Sequence, residues 1–129
     1  MQILLFELAG QRYGVPLRSV REVVRAVAIT PLPTAPTVIE GIINVRGTLM
    51  PVFDLRARFG LPRKAVDPSD HLIIAWAQSR LVALRVDRAD WMADIAESEL
   101  EAAATIVPYA EYVSGVAKLP DGLVLIHDL

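Results

Sequence analysis

The chain has 129 residues, enough for one compact domain or for two very small units that share a core. Hydrophobic residues make up 53% of it, there is no cysteine, and the net charge is −2. This composition argues against a disulfide framework and against a nucleic-acid binder that relies on bulk charge, and it fits a reducing cytoplasm. No apolar run approaches the roughly 18 residues of a membrane-spanning helix, and no signal peptide is predicted.

The charges are unevenly distributed along the chain. Residues 1–64 contain nine basic and four acidic side chains, whereas residues 65–129 contain four basic and eleven acidic ones. This asymmetry fits a molecule with one basic and one acidic face, suited to two different partners or to a head-to-tail contact. Alternatively, the fold interleaves the two halves and the difference averages out.

The first third of the chain predicts two strands, a helical turn and a stiff connector. Residues 2–8 alternate with period two, and residues 13–15 form a second short strand. Pro16 suits the first position of a helical turn, in which Leu17, Val20 and Val24 follow at helical spacing. Residues 30–36 contain three prolines, which favour an extended connector between core elements.

The central stretch predicts a β-hairpin. Two apolar runs, 41–45 and 49–53, flank the polar insert 46–48. Gly47 can adopt a positive φ without steric cost, so the chain can reverse there and hold Arg46 at the mouth of the hairpin. Pro51 cannot donate a backbone hydrogen bond, so its strand is expected to lie at an edge or to be kinked.

The second half predicts further strands and hardly any helix. One helical turn is expected at 56–59, a hairpin at 72–87, a strand at 91–95 and a last hairpin around the turn at 120–122. Ser98 and Glu101 have the spacing of a capping box before a short helix. Trp76 and Trp91 lie in apolar runs and are expected in the core. Nine or ten short strands indicate an all-β protein built of small barrels.

The chain shows no catalytic constellation, so an enzyme is not favoured. An alternative of another class is a small-ligand or metal-binding β-barrel, with hydrolytic activity, that uses His71, His127 and the acidic group of Asp87, Asp90 and Asp94. Those histidines lack metal-ligand spacing, and the acidic group matches no calcium loop. No cofactor or metal is expected.

Arg46 stands out because it is the only charged residue between Glu40 and Asp54. It could be a structural arginine that pairs with Glu22 or Asp54, or a contact arginine at the centre of an interface. The pattern alone leaves both readings open. For Asp54 itself, acceptance of hydrogen bonds is favoured over acid–base chemistry.

Nearly the whole sequence resembles the CheW-like coupling proteins of bacterial chemosensory arrays. The segments that carry the resemblance are FEL at 6–8, YGVPL at 13–17, VREV at 20–23, ITPLPTAP at 29–36, GIINVRG at 41–47, PVFDL at 51–55, Gly115 and LIHDL at 125–129. The chain departs from the family at Arg85 and Arg88, where valine and glycine are usual.

The resemblance implies a single domain over residues 1–129 that consists of two intertwined five-stranded SH3-like β-barrels with a groove between them. It implies a non-enzymatic adaptor that links chemoreceptor cytoplasmic helical tips to the regulatory domain of a CheA-type histidine kinase and reaches the membrane only through receptors. The matching positions imply that Val20, Glu22 and Arg46 contact the receptor, and that Gly41, Asn44 and Gly47 shape the groove. A related adaptor that controls pili or development, rather than swimming, fits equally well.

Overall fold

The computed structural model describes residues 1–25, 28–107 and 111–127 and is mostly β. In chain order the strands of these residues are β1 (Gln2–Leu8), β2 (Gln11–Pro16), β3 (Val20–Arg25), β4 (Ile39–Val45), β5 (Thr48–Asp54), β6 (His71–Ala77), β7 (Arg80–Val86), β8 (Arg88–Asp94), β9 (Leu100–Ala102), β10 (Val113–Leu119) and β11 (Gly122–His127). Two single-turn helices, α1 (Leu55–Arg58) and α2 (Ala103–Ile106), and two 3₁₀ turns (Leu17–Ser19 and Glu97–Glu99) complete the described elements.

The first sheet, which we call barrel A, has the strand order β8-β1-β2-β11-β10-β9. Its two border strands are nearly continuous in the chain, because only a short connection with the 3₁₀ turn Glu97–Glu99 separates β8 from β9. The first half of this segment pairs with β1, and the second half pairs with β10. The segment therefore acts as one interrupted strand that borders both edges, so the six strands amount to a five-stranded barrel.

The second sheet, barrel B, has the order β3-β6-β7-β5-β4 and is bordered in the same way. Strand β3 pairs with β6, and the same stretch of chain later returns to the opposite edge at Thr30. There Thr30 exchanges two backbone hydrogen bonds of 2.9 Å with Ile42 of β4. The fold class, an all-β protein of two intertwined barrels with minimal helix, is thereby confirmed.

Strand β1 packs into two cores because both of its faces are buried. Ile3 and Leu5 point into the interior of barrel A, where they meet Val124 and Ile126. The opposite face joins a central core between the barrels. That core contains Leu4, Phe6 and Leu8 of β1 together with Tyr13, Val15, Leu55, Ile73, Ala75, Val82, Leu84, Val86 and Ala89. A third core fills barrel B.

The charge asymmetry of the sequence persists in three dimensions. Barrel B and its entry turn, residues 17–86, contain ten basic and five acidic side chains. The segments that build barrel A, residues 1–16 and 87–127, contain three basic and nine acidic ones. The chain does exchange segments between the barrels, but this exchange leaves one barrel basic and the other acidic.

The sequence wrongly predicts helical geometry at Val20 and Val24 and a capping box at Ser98 and Glu101, although the short helix expected after that box does form as α2. Residues 17–19 do form a single 3₁₀ turn, but β3 starts at Val20, so Val20 and Val24 lie on a strand. Hydrogen bonding to β6 outweighs their helical spacing. Ser98 and Glu101 form no capping box, since Glu101 belongs to β9. Glu99 accepts from the Ala96 amide at 2.9 Å instead. The β-branched stretch 23–29 also predicts extended backbone, which β3 shows for Val23–Arg25, while residues 26 and 27 lie outside the described residues.

Pro51 does not lie on an edge strand, because β5 is flanked by β4 and β7. It pairs with Ile42, whose own backbone groups bond outward to Thr30. The Pro51 nitrogen therefore needs no partner in β4. The pairing of β5 with β7 begins only at Val52, one residue later. The proline thus lies at a position where β5 makes no hydrogen bond to β4 and does not yet pair with β7.

Gly41 allows the Thr30 segment to close barrel B. A Cβ atom at Gly41 would overlap the carbonyl oxygen of Thr30 and would lie 2.8 Å from its carbonyl carbon. Both atoms belong to the backbone, so no side-chain rotation can relieve the clash.

We therefore expect Gly41→Ala to separate Thr30 from β4 and to lower the free energy of unfolding by about 1–3 kcal/mol. Urea denaturation measures the loss, and hydrogen exchange should show faster exchange of the Thr30 and Ile42 amides. Gly47→Asn is the control, because Gly47 has open space around it and asparagine tolerates its positive φ. Equal protection of both amides in Gly41→Ala and the parent chain would contradict this account.

Candidate functional site

The β4–β5 hairpin presents Arg46 on a two-residue turn. Val45 pairs with Thr48, and the two residues between them have positive φ angles, 49° at Arg46 and 89° at Gly47. Positive φ at both central positions matches the twist of the flanking strands. The side-chain oxygen of Asn44 accepts a 2.8 Å hydrogen bond from the Gly47 amide and fixes the turn. Arg46 is therefore held on a rigid element, as the sequence predicts.

Arg46 pairs with Glu22 across the closed edge of barrel B. One guanidinium nitrogen of Arg46 donates to a carboxylate oxygen of Glu22, and Arg21 lies 3.9 Å from the same oxygen. The Arg46 side chain is 64% exposed and that of Glu22 is 25% exposed. A pair this exposed contributes about 0–1 kcal/mol to stability. The pairing anticipated by the structural reading is present, yet most of the guanidinium stays available to a partner.

The structure brings four of the six predicted site residues together, namely Glu22, Asn44, Arg46 and Gly47. Val20 precedes Glu22 by two positions on β3, and its side chain packs against the central core. It therefore supports the wall of the site from beneath. Gly41 lies nearer the start of β4, where the backbone of Thr30 passes close to it. Asp54 is not part of the site, because it caps α1 by accepting from the Arg56 amide at 3.0 Å.

Two exposed apolar side chains, Leu49 and Trp76, were missed from the sequence. Leu49 is 68% exposed and pairs with Asn44 across the hairpin. Trp76 is 44% exposed, so its expected place in the core is wrong. It follows Ala75, which pairs with Val20. Trp91 is partly buried against the core of barrel A, as expected. The sequence did contain a signal for Leu49: side chains alternate between the two faces of β5, and Leu49 falls on the face opposite the buried Met50 and Val52.

Comparison with known proteins identifies the family. The model of the CheW-like domain matches residues 2–129. A chemotaxis protein CheW of Rhizobium meliloti is 28% identical over 99% of this chain and 84% of that protein. A chemotaxis protein CheW of Treponema pallidum is 24% identical over 99% of this chain and 79% of that protein. The crystal structure of the scaffolding protein TtCheW from Thermoanaerobacter tengcongensis superimposes with a TM-score of 0.90, at 35% identity over 99% of this chain and 88% of that one.

The chain belongs to the CheW-like family. As a CheW-like protein it is a coupling adaptor of chemotaxis signalling and not an enzyme. No helix among the described residues is long and apolar enough to cross a membrane.

The residues of the metal-binding alternative whose side chains the structure describes are not assembled in this CheW-like chain. His71 accepts a 2.9 Å hydrogen bond from the Ala89 amide, whereas His127 contacts Arg58. Asp87 accepts from the Arg56 guanidinium at 2.7 Å. Within residues 1–25, 28–107 and 111–127 no group of three or more His, Cys, Asp or Glu side chains could hold a metal ion. The side chain of Asp90 lies outside the described residues.

His127 is a buried histidine held beside a cation. Its side chain is almost fully buried, and its Nε2 atom lies 3.3 Å from Nη1 of Arg58. Arg58 itself lies over the rings of Phe53 and Tyr112, 4.8 and 4.6 Å from their centres. Burial, together with the positive charge of Arg58, lowers the pKa of His127 to about 4. The histidine is therefore neutral at physiological pH and packs as an aromatic ring against Phe59.

Arg85, one of the two departures from the family pattern, is the centre of a buried ionic network. Its side chain is only 4% exposed and donates to Glu40, to Asp70 at 2.9 Å and to the Lys64 carbonyl at 2.8 Å. Asp70 is fully buried and also accepts from Lys64 at 2.9 Å. Burial tends to raise the pKa of Asp70, but these bonds and the Asp67 amide outweigh it and lower the pKa. The network holds the 61–70 loop on barrel B.

We expect Arg85→Met to lower the free energy of unfolding by about 3–5 kcal/mol, because it leaves Asp70 and Glu40 without their shared cation. Urea denaturation checks this value. Arg63→Met is the matched control, since Arg63 lines the same surface depression as Arg85 but is exposed, and the substitution should cost less than about 0.5 kcal/mol. Equal losses in the two variants would contradict the expectation that Asp70 and Glu40 depend on Arg85.

The low pKa of His127 predicts a loss of stability in acid. The unfolded chain takes up the proton near pH 6.5 and the folded chain only near pH 4, so stability is complete above about pH 6.5 and falls as the pH drops toward 4. The histidine should account for about 3 kcal/mol of that fall. Denaturation at several pH values measures it, and His127→Gln should flatten the curve in this window. An unchanged curve would contradict the buried neutral histidine.

Proposed function

We propose that this CheW-like chain couples the helical cytoplasmic tips of chemoreceptors to the regulatory domain of a CheA-type histidine kinase. The observation that carries the proposal is the Arg46–Glu22 pair. It presents both signs of charge on a rigid hairpin, and most of the arginine is exposed. Such a pair is expected to fix the position and orientation of a partner rather than to stabilise this chain.

A helix suits this surface better than other partners. Amphipathic helices bind through apolar side chains that enter a groove, together with a few polar contacts that set the register. Here Leu49 supplies an exposed apolar contact, Val20 forms part of the wall, and Glu22 and Arg46 supply the polar contacts. The proposed receptor contact therefore consists of Val20, Glu22 and Arg46, on a wall shaped by Gly41, Asn44 and Gly47.

The kinase contact is proposed at the ends of the barrels, so that adaptor and kinase alternate in an array. The opposite charges of the two barrels support such directional assembly, because they favour contacts between unlike ends. Interfaces of about 800 Å² per partner are sufficient when an array repeats them many times. The two barrels act as one domain in this role, since the central core joins them. The chain works in the cytoplasm and meets the membrane only through receptors.

The test is Arg46→Ala in a binding assay with the tip fragment of a chemoreceptor from the same genome. We expect binding to weaken tenfold or more, about 1.4 kcal/mol, while the free energy of unfolding changes by less than about 1 kcal/mol. Calorimetric titration measures the first quantity and urea denaturation the second.

Arg25→Ala serves as the control for this test, because Arg25 is exposed at the far end of β3. It should bind the tip fragment like the parent chain. A loss of stability in Arg46→Ala as large as the loss of binding would show a structural arginine. Failure of the parent chain to bind any tip fragment would refute the proposed function.

A further inference from the structure

A surface depression of about 560 Å³ lies on barrel B between two loops that the proposed receptor contact does not use. One wall is formed by Pro36 of the proline-rich connector and by Ile39 at the start of β4. The other wall is the loop 61–70, which contributes Arg63 and Val66. The volume falls within the range of about 300–1,000 Å³ that is usual for small-molecule sites. We call this site the loop depression.

Two carboxylates at the base of the loop depression each keep one oxygen free. The side chains of Glu40 and Asp54 are 16% and 9% exposed. Glu40 accepts from Arg85 through Oε1, and Asp54 accepts from the Arg56 amide through Oδ1. The second oxygens, Oε2 of Glu40 and Oδ2 of Asp54, accept no hydrogen bond from any described residue, yet neither is a fully buried atom without a partner. Both are therefore acceptors that a ligand can reach.

The ion pairs beneath the loop depression carry one negative charge in excess. The contacts that meet at Arg85 and Lys64 connect four carboxylates to three cations, namely Glu40, Asp54, Asp70, Asp87, Arg85, Lys64 and Arg56. Burial raises the pKa of Glu40, and its bond from Arg85 does not offset this effect. A further cation beside Glu40 would favour the charged carboxylate. The base of the depression thus indicates a ligand with a cationic group.

Arg63 is an unpaired cation at the rim of the same depression. It is exposed, and it makes no hydrogen bond or ion pair with any described residue. The neighbouring Lys64, by contrast, is bound by Asp70 at 2.9 Å. A free guanidinium can hold a carboxylate through two parallel hydrogen bonds. The rim therefore indicates a ligand that also has a carboxylate.

The walls between base and rim are apolar. Pro36 and Val66 are exposed there, Val66 to 45%, and Ile39 is half-buried beside them. Among the described residues no set of side chains could hold a metal ion, so the expected cationic group is an organic one. An ammonium group, a carboxylate and an apolar side chain together describe an amino acid.

We propose that the loop depression binds a free amino acid with an apolar side chain, whose ammonium group donates to Glu40 and Asp54 and whose carboxylate accepts from Arg63. The ligand bridges the proline-rich connector and the loop 61–70, and no bond is formed or broken. The buried Arg85 organises the site. Since valine is usual at this position in the family, the site is a property of this chain and not of the shared fold.

The first test is a titration of the isotope-labelled parent chain with L-leucine, followed by NMR. We expect amide shifts confined to residues 35–40 and 63–66, with a dissociation constant of about 1 mM or tighter, as suits so small a ligand. N-acetyl-leucine lacks the ammonium group and leucine amide lacks the carboxylate, so each should bind at least tenfold more weakly. The absence of shifts in these two segments would overturn the inference, as would an analogue that binds as tightly as leucine.

The second test repeats the leucine titration with Arg63→Met and Asp54→Asn. Each should weaken binding tenfold or more. Asparagine can still cap α1, and Arg63 is exposed, so both variants should fold, which urea denaturation checks. Arg25→Met is the matched control, because Arg25 is an exposed arginine of barrel B outside the depression, and it should bind leucine like the parent chain.

Unchanged leucine binding in folded Arg63→Met, or equal weakening in Arg63→Met and Arg25→Met, would overturn the proposed site. This result is independent of the receptor test, because Arg46 lies on the β4–β5 turn and does not line the depression. Arg46→Ala should therefore bind leucine like the parent chain. If leucine fails to bind while the parent chain still binds the receptor tip, the inference fails and the proposed function stands.

Discussion

The fold depends on strand β1, which is buried on both faces and belongs to two cores at once. One face completes the interior of barrel A, and the other packs against barrel B through Phe6 and its neighbours. Each large side chain that leaves water in this way contributes about 1.5–3 kcal/mol. Because the same strand is needed by both cores, the barrels cannot separate without exposing one of them. The cleft between them is consequently a preformed surface.

A preformed surface matters for an adaptor that works through weak contacts. Arg46 stands on a two-residue turn whose backbone is already fixed by Asn44. This backbone does not need to be ordered when a partner arrives, so little of the binding energy is lost to ordering the chain. The buried ionic network around Arg85 fixes a further part of the chain. It anchors a loop of ten residues, 61–70, that contains no helix or strand.

The sequence predicted well the features that depend on neighbouring residues, and poorly those that depend on contacts between residues far apart in the chain. The hairpin around Gly47 was predicted because its alternation, its glycine and its two apolar runs all lie within sixteen residues. The helix through Val20 was wrongly predicted, because spacing alone cannot reveal that β6 supplies hydrogen bonds from fifty residues away. The exposure of Trp76 and the partners of Arg85 depend on which elements meet in space. Glu22 was anticipated as one of two possible partners of Arg46, beside Asp54, and only the three-dimensional arrangement shows which of the two Arg46 contacts.

The path of the chain has a consequence for folding during synthesis. Strands β3 to β7 are contiguous, so barrel B is complete once they have been made. Barrel A can be completed only after β11 has been made, because β2 pairs with β11. For example, the side chain of Gln11 donates to the carbonyl of Leu123, 112 residues later. Until the ribosome has delivered β8 and β11, β1 and β2 each lack one of their two neighbouring strands. The nascent chain therefore carries an exposed apolar hairpin through most of its translation, the kind of segment that chaperones protect.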